Sequence, residues 1–345
     1  MKCTSRILLL FAFLCAACHD EDVKIEALNE WKIVGVEDID YCASDFSVGY
    51  SLFKRDEHFF VAYYDTNHVL VLASKYVNDK KWKYKRLDSY VDWDSHKYLT
   101  LFVEKDGTIH LSGNMHTSPL IYYKSTSPFD IETVKREIMV GTTEEMATYP
   151  QFLYAGDMLF FHYRNGASGN GEEIFNSYNR TTRKWERLLD VPLFDGKGVS
   201  NAYLEGPVLG TDGYFHLVWV WRDTSDCRTN HGLYYAKSKD LKEWEDIEGN
   251  KKLVPIDIYD DSFMVDDIPI GGGLLNIGFK LGFDSDGKPI IAYHKYDENG
   301  FTNIYVAYPD TKLRRWITKR VTSWDWRWNF GGTGSIVCEL FLKRI

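Results

Sequence analysis

Short apolar runs stand behind turn residues at a regular interval along the chain. Glu57-His58-Phe59-Phe60, Asp106-Gly107-Thr108-Ile109, Gly156-Asp157-Met158-Leu159, Asp212-Gly213-Tyr214-Phe215 and Asp286-Gly287-Lys288-Pro289 each set a turn before residues of strand type. The interval is about fifty residues, with one longer gap between Gly213 and Gly287. Such a period predicts stacked sheets, because a lone four-stranded sheet cannot bury both of its faces. Further short strands follow the turns, as at 233–237 and 244–247, and no stretch shows a convincing amphipathic helical pattern. The pattern predicts an all-β chain with five complete sheets. Strand-like pieces precede them at 31–36 and 47–53 and follow them at 335–341. The acidic, glycine-rich stretch 260–273 falls in the long gap and is expected to be a mobile loop over one face.

Composition narrows the function. The chain has 345 residues, of which 16% are aromatic, more than a core of this size requires, so some rings are expected to line a groove and stack on sugars. A net charge of -9 disfavours nonspecific nucleic-acid binding, which needs a basic face. Met1-Lys2 and Arg6 precede the apolar run 7–17, too short to span a bilayer and right for a signal peptide. Cys15-Ala16-Ala17-Cys18 resembles a bacterial lipobox, with Cys15 where leucine is usual, and His19-Asp20-Glu21-Asp22 resembles the acidic export tag of Bacteroidetes surface lipoproteins. These features predict a lipoprotein signal peptide at 1–18 with Cys18 lipidated, a tether at 19–30 and one domain at 31–345. The expected location is the cell envelope, at the outer-membrane surface, with membrane contact through the lipid alone and the chain a monomer. Cys42, Cys227 and Cys338 form neither a disulfide framework nor a zinc spacing.

The chemistry centres on two histidines twenty positions apart in one repeat, His96 in Asp94-Ser95-His96-Lys97-Tyr98 and His116 in Ser112-Gly113-Asn114-Met115-His116. The Asp106-Gly107 turn between them predicts a hairpin that brings both to the same end of a sheet. Two imidazoles held there suit proton abstraction near neutral pH.

From about Asp94 to Ser335 the chain resembles the BNR-4 repeat β-propeller polysaccharide lyases, the ulvan lyases and related rhamnosyl-glucuronate lyases. The resemblance rests on the two histidine stretches, Tyr163-Arg164-Asn165-Gly166 with Ser168-Gly169-Asn170-Gly171, Trp221-Arg222-Asp223-Thr224 with Thr229-Asn230-His231, Tyr293-His294-Lys295-Tyr296, and Trp326-Arg327-Trp328-Asn329-Phe330-Gly331-Gly332. Ser238 to Trp244 resembles a degenerate Asp-box, a structural marker of such repeats. The resemblance implies a seven-bladed propeller whose last blade is incomplete in this chain.

It also implies β-elimination at a 4-linked uronic acid: removal of the C5 proton, expulsion of the O4 substituent and formation of an unsaturated sugar. That step needs a base, a clamp for the uronate carboxylate and an acid for the leaving oxygen. His116 is the expected base, with His96 holding the carboxylate or sharing the proton transfer. Tyr163 is the acid implied by the resemblance. Arg180 is the expected carboxylate clamp, with Arg183 and Arg164 as competitors, because a guanidinium stays charged and binds carboxylate with two parallel bonds. Asn114, Arg164, Tyr203, Arg222, Asn230, His231, His294 and Arg327 are expected around the substrate. The chemistry requires no cofactor, although a structural zinc or calcium is of the sort some relatives carry, with Cys227 near His231 as a weak metal candidate. The expected substrate is an anionic polysaccharide with a rhamnosyl-α-1,4-glucuronate linkage, of ulvan or arabinogalactan type, and local Arg and Lys must then overcome the global negative charge. Two other readings compete: a sialidase-like glycoside hydrolase, which would want an arginine triad with a Tyr-Glu pair, and a surface lipoprotein that binds glycan without cleaving it.

Overall fold

The computed structural model describes residues 36–44, 49–276, 278–310, 312–334 and 336–343. The expected signal peptide at 1–18, the expected lipidation site Cys18 and the expected tether at 19–30 lie outside the described residues. The chain divides into two units after Ile39, and every strand belongs to the second, Asp40–Ile345. Apart from three single-turn 3-10 helices, the regular structure among the described residues is strand.

Four antiparallel meanders of four strands and one six-stranded antiparallel sheet make up the blades of an all-β propeller fold. Blade one is Ser51–Arg55, His58–Tyr64, Val69–Tyr76 and Lys83–Tyr90, and blade two is Leu99–Val103, Ile109–Gly113, Tyr122–Ser125 and Val134–Arg136. Blade three is Ala147–Ala155, Met158–Ala167, Asn170–Asn179 and Lys184–Arg187. Blade four begins Asn201–Leu209, Phe215–Arg222 and Asn230–Ser238 and ends on the short pieces Trp244–Glu245 and Lys251–Lys252, and blade five is Phe279–Phe283, Pro289–Tyr296, Thr302–Asp310 and Arg315–Arg320. The sixth and seventh blades implied by the resemblance are not among the described residues.

All five turns read from the sequence join the first strand of a blade to its second. Gly107, Gly213 and Gly287 take φ of 84°, 79° and 78°, a left-handed conformation that glycine adopts without steric cost. Consecutive blades bury apolar faces against one another. Leu72 of blade one packs with Leu101 and Leu111 of blade two, Phe102 of blade two with Phe161 of blade three, Phe175 of blade three with Trp219 of blade four, and Val220 of blade four with Leu281 and Tyr293 of blade five. The Asp-box closes as its chemistry dictates. Ser238 Oγ accepts from Leu241 N at 2.8 Å, Asp240 Oδ1 accepts from the N–H groups of Lys242 and Glu243 at 2.8 and 2.9 Å, and Trp244 is fully buried.

Two expectations are corrected here. The stretch 260–273 is not simply a loop over a face, since Asp261–Phe263 forms a 3-10 turn and Met264–Asp266 pairs with the third strand of blade four. Asp266 then accepts from the Tyr293 hydroxyl and from Lys295 Nζ, each at 2.5 Å. The piece at 335–341 carries no strand among its described residues. The segment after blade five is instead tied back to earlier loops: Trp328 N donates to Thr302 Oγ1 at 2.9 Å, Gly332 N to Asp226 Oδ1 at 2.9 Å, and Cys227 N to Gly332 O at 2.9 Å.

Candidate active site

Because the first turn of every blade lies at one end, the start of each first strand and the finish of each second strand share the other end. That rim gathers Tyr98 and His116 from blade two, Tyr149 and Arg164 from blade three, and Tyr203 and Arg222 from blade four. Together with His96, Ser168 and Asn276 they line a cleft of about 620 Å³. No Asp or Glu side chain lines it among the described residues, and Glu173 and Glu205 line the adjoining cavity that shares Arg164 and Tyr203 with it.

The histidines meet as the hairpin predicts. Their rings stack with centroids 4.2 Å apart. Asp94 accepts from His96 Nδ1 on Oδ1 at 2.7 Å and from His116 Nδ1 on Oδ2 at 2.5 Å. Burial opposes ionisation of Asp94, but the bonds from His96 and His116 outweigh it and hold the carboxyl down at about 2. A carboxylate accepting from both Nδ1 atoms leaves Nε2 of each ring as the basic nitrogen. Burial lowers the His116 pKa, His96 and Arg164 push it the same way, and Asp94 opposes them. His116 is therefore a neutral imidazole at neutral pH.

Local backbone aims this ring. Gly113 ends its strand where a Cβ would lie 2.4 Å from the Tyr98 carbonyl, and Asn114 follows in the left-handed region at φ 64°. Asn114 Nδ2 donates to Ser89 Oγ at 2.6 Å and to Tyr90 O at 2.8 Å, so it ties blade two to blade one and does not line the cleft. Beyond the histidine, Thr117 N donates to Thr148 Oγ1 at 2.8 Å, and the same hydroxyl accepts from Arg164 at 3.1 Å.

Arg164 is buried in the floor of the cleft and pairs with no carboxylate among the described residues. It donates to Tyr203 Oη at 3.1 Å and lies 5.0 Å from the Tyr149 ring and 5.6 Å from the Tyr203 ring. Arg222 continues the ladder 5.2 Å from the Tyr203 ring, with Nε donating to Thr224 O at 3.0 Å. Two guanidiniums interleaved with tyrosines, without lining carboxylates, make a cationic pocket inside an acidic protein.

Tyr149 is the residue that reading the sequence missed. It sits at φ 59°, opposite a register shift between His162 and Arg164, and its ring stacks 5.9 Å from Tyr98 and lies 6.1 Å from His96. A left-handed aromatic residue is strained, and such strain collects at functional positions. Burial raises its phenol pKa against the opposing effect of Arg164, so it keeps its proton.

Several expected residues stand elsewhere. Tyr163, expected as the acid, is fully buried between blades two and three beside Phe161 and Trp185, and its hydroxyl donates to Thr143 O at 2.7 Å. Tyr163→Phe should lower unfolding stability by about 1 kcal/mol through the lost hydrogen bond while leaving kcat/KM within twofold of the parent, which urea unfolding and initial rates would check. Arg180, expected as the clamp, closes on Glu104 at 2.6 Å, and Arg183 donates to Thr108 Oγ1 at 2.9 Å. Neither lines the cleft.

Asn230 is fully buried, donating to Cys227 O at 2.6 Å, and His231 Nε2 pairs with Asp223 at 2.9 Å. His294 is sealed beside Trp328 and Phe330, where burial lowers its pKa to about 4. Arg327 lies 3.7 Å from the Tyr296 ring and donates to Gly300 O at 2.8 Å. These four also lie outside the cleft lining. Cys227 touches the cleft from an apolar cluster with Leu275, Trp328 and Phe330, and burial raises its thiol pKa, which does not suit a metal ligand. Asp94, His96 and His116 are the one group among the described residues whose donor atoms lie close enough for a metal ion. Both oxygens of Asp94 are taken up by the imidazoles in this structure.

Among curated protein sequences none matches the chain. Of solved structures, the fold is similar to that of a polysaccharide lyase of family PL25, an ulvan lyase bound to -[GlcA(1-4)Rha3S]-, at a TM-score of 0.60 and 16% identity, covering 80% of this chain and 71% of that one. A GH43B protein from a xyloglucan locus of Bacteroides ovatus matches at a TM-score of 0.35 and 11% identity, covering 90% of this chain and 60% of that one. At these identities the likeness to the lyase is one of fold. The family model for BNR repeat-containing family members, BNR_4, matches residues 58–324. The chain belongs to the BNR repeat-containing family.

Proposed function

We propose that this protein is a polysaccharide lyase that cleaves a 4-linked hexuronate by β-elimination. One observation carries the reading: two imidazoles fixed through Nδ1 by a single carboxylate share a cleft with an arginine that has no acidic partner and with no lining carboxylate. Glycoside hydrolysis of the usual kind needs two carboxyl groups flanking the bond. Elimination needs a base, a cation for the uronate and a proton donor.

Arg164, with the Tyr203 hydroxyl beside it, receives the uronate carboxylate and stabilises the negative charge that develops as the C5 proton leaves. His116 Nε2 takes that proton. The C5 electron pair forms the C4–C5 double bond, the C4–O4 bond breaks, and the departing oxygen takes a proton from the Tyr149 phenol. Return of the proton from His116 to Tyr149, directly or through water, restores both groups. His96 stacks on His116, holds it in register and offers a second donor or acceptor to the sugar.

The substrate we propose is a glycan with rhamnose attached at O4 of glucuronic acid, presented to a cell-envelope lipoprotein. The ulvan lyase of similar fold, seen with -[GlcA(1-4)Rha3S]-, supports that choice. The test is ultraviolet absorbance of the unsaturated uronate when the protein acts on ulvan or gum arabic. Absorbance that rises with the parent protein and not with His116→Ala supports elimination. New reducing ends without absorbance mean hydrolysis, and retention of the glycan without either means a binding protein.

The pH profile follows from the shift at His116. Its folded pKa lies below the ordinary value of about 6.5, so kcat/KM should rise with pH along an acid limb whose midpoint lies below that value. Asp94→Asn removes the partner that holds the pKa up. Its acid limb should move to lower pH while kcat falls by about 10²-fold, because the imidazoles lose their fixed tautomer. An unmoved acid limb would separate Asp94 from the base.

A further inference from the structure

The aromatic residues of the cleft are held in different ways. Tyr98, Tyr149 and Tyr203 pack on one another or against guanidiniums. Trp93, the residue before Asp94, lines the same cleft next to Ser95 and His96 and is 69% exposed. An indole left open to water in a ligand cleft offers apolar area that a partner can cover.

Its position is fixed from below. His68 meets Trp93 edge-on, with centroids 5.7 Å apart and planes at 75°. The segment that carries the indole is tied to the same histidine twice, by Val91 N to His68 O at 2.9 Å and by His68 Nδ1 to Val91 O at 3.2 Å. Lys97 closes the far side on Asp92 at 3.0 Å. Trp93 and Asp94 are adjacent on this braced segment, so the indole and the two imidazoles keep one spatial relation.

The structure assigns Trp93 as a stacking platform for a pyranose ring of the glycan next to the uronate being cleaved, an inference that rests on the lyase reading of the cleft. The apolar C–H face of a pyranose matches an indole face, and a Trp carries no charge to neutralise an anion. Charge recognition lies with Arg164 and Arg222, so Trp93 takes the C–H face of the neighbouring sugar and leaves its polar substituents to solvent. A rigid ring also costs little side-chain entropy on binding.

The test uses the His116→Ala protein, in which binding is read without turnover, in affinity electrophoresis through gels containing ulvan. Adding Trp93→Ala should weaken retention about tenfold, and Trp93→Phe should recover most of it, because a ring face remains. Retention unchanged by Trp93→Ala overturns the platform while leaving the lyase reading intact. Loss that Trp93→Phe does not recover also overturns it, since the effect would then belong to the fold of the segment. If the parent protein releases no unsaturated product, the lyase reading fails, and the retention series still reports on Trp93.

Discussion

His116→Ala is expected to lower kcat for glycan cleavage by about 10³-fold, within the range over which a positioned base acts. The side chain is partly exposed at the rim, and the strand that leads to it ends at Gly113, before the substituted position. Thermal unfolding should therefore change little, so loss of rate reports on chemistry. KM should change far less than kcat, because the lost interaction forms with the C5 proton only as it leaves. His96→Ala should cost less, as it removes the stacked neighbour and one of two bonds to Asp94 while the His116 bond to Asp94 remains. Initial rates by absorbance, with KM and kcat resolved, decide the matter. Full activity in His116→Ala would remove the base from the mechanism.

Arg164→Ala should have the other large effect, a fall in kcat/KM of at least about 10³-fold, as both binding of the uronate and stabilisation of the developing charge depend on the guanidinium. Arg164→Lys keeps the charge and loses the fork, and should recover only a minor part. The pH profile gives a second readout with a definite sign. Arg164 lowers the His116 pKa, so its removal should move the acid limb upward, opposite to the shift expected for Asp94→Asn. An effect confined to stability, with kcat/KM retained in the folded fraction, would make Arg164 a packing residue.

Much of this arrangement was legible in the sequence because turns set the phase of each blade. His116 stands nine residues after Gly107, Arg164 eight after Gly156 and Arg222 nine after Gly213, so second-strand ends can be counted from the turns. The same count places Lys295 eight after Gly287, yet the structure spends that lysine on Asp266. Phase alone cannot tell a free cation from a paired one. Tyr163 and Arg180 failed for related reasons. Strand alternation turns Tyr163 toward the interface of blades two and three, and Arg180 falls at the third-to-fourth strand turn, the end away from the cleft. Tyr149 escaped notice because its signal is conformational: a strained φ before Pro150 at the start of a strand, visible only once the backbone is known. His231, His294 and Arg327 sit in motif-bearing stretches, but His231 pairs with Asp223, Arg327 donates to Gly300 O, and His294 packs against Trp328 and Phe330.

The most direct measurement of the central claim is the mass of the products formed in water enriched in heavy oxygen. Elimination breaks the C4–O4 bond without adding water, so each new chain end should form without label, and the uronate fragment should be lighter by one water than its hydrolytic counterpart. Heavy oxygen incorporated at the newly formed reducing end, or products that carry the full mass of added water, would contradict β-elimination by His116 and Arg164.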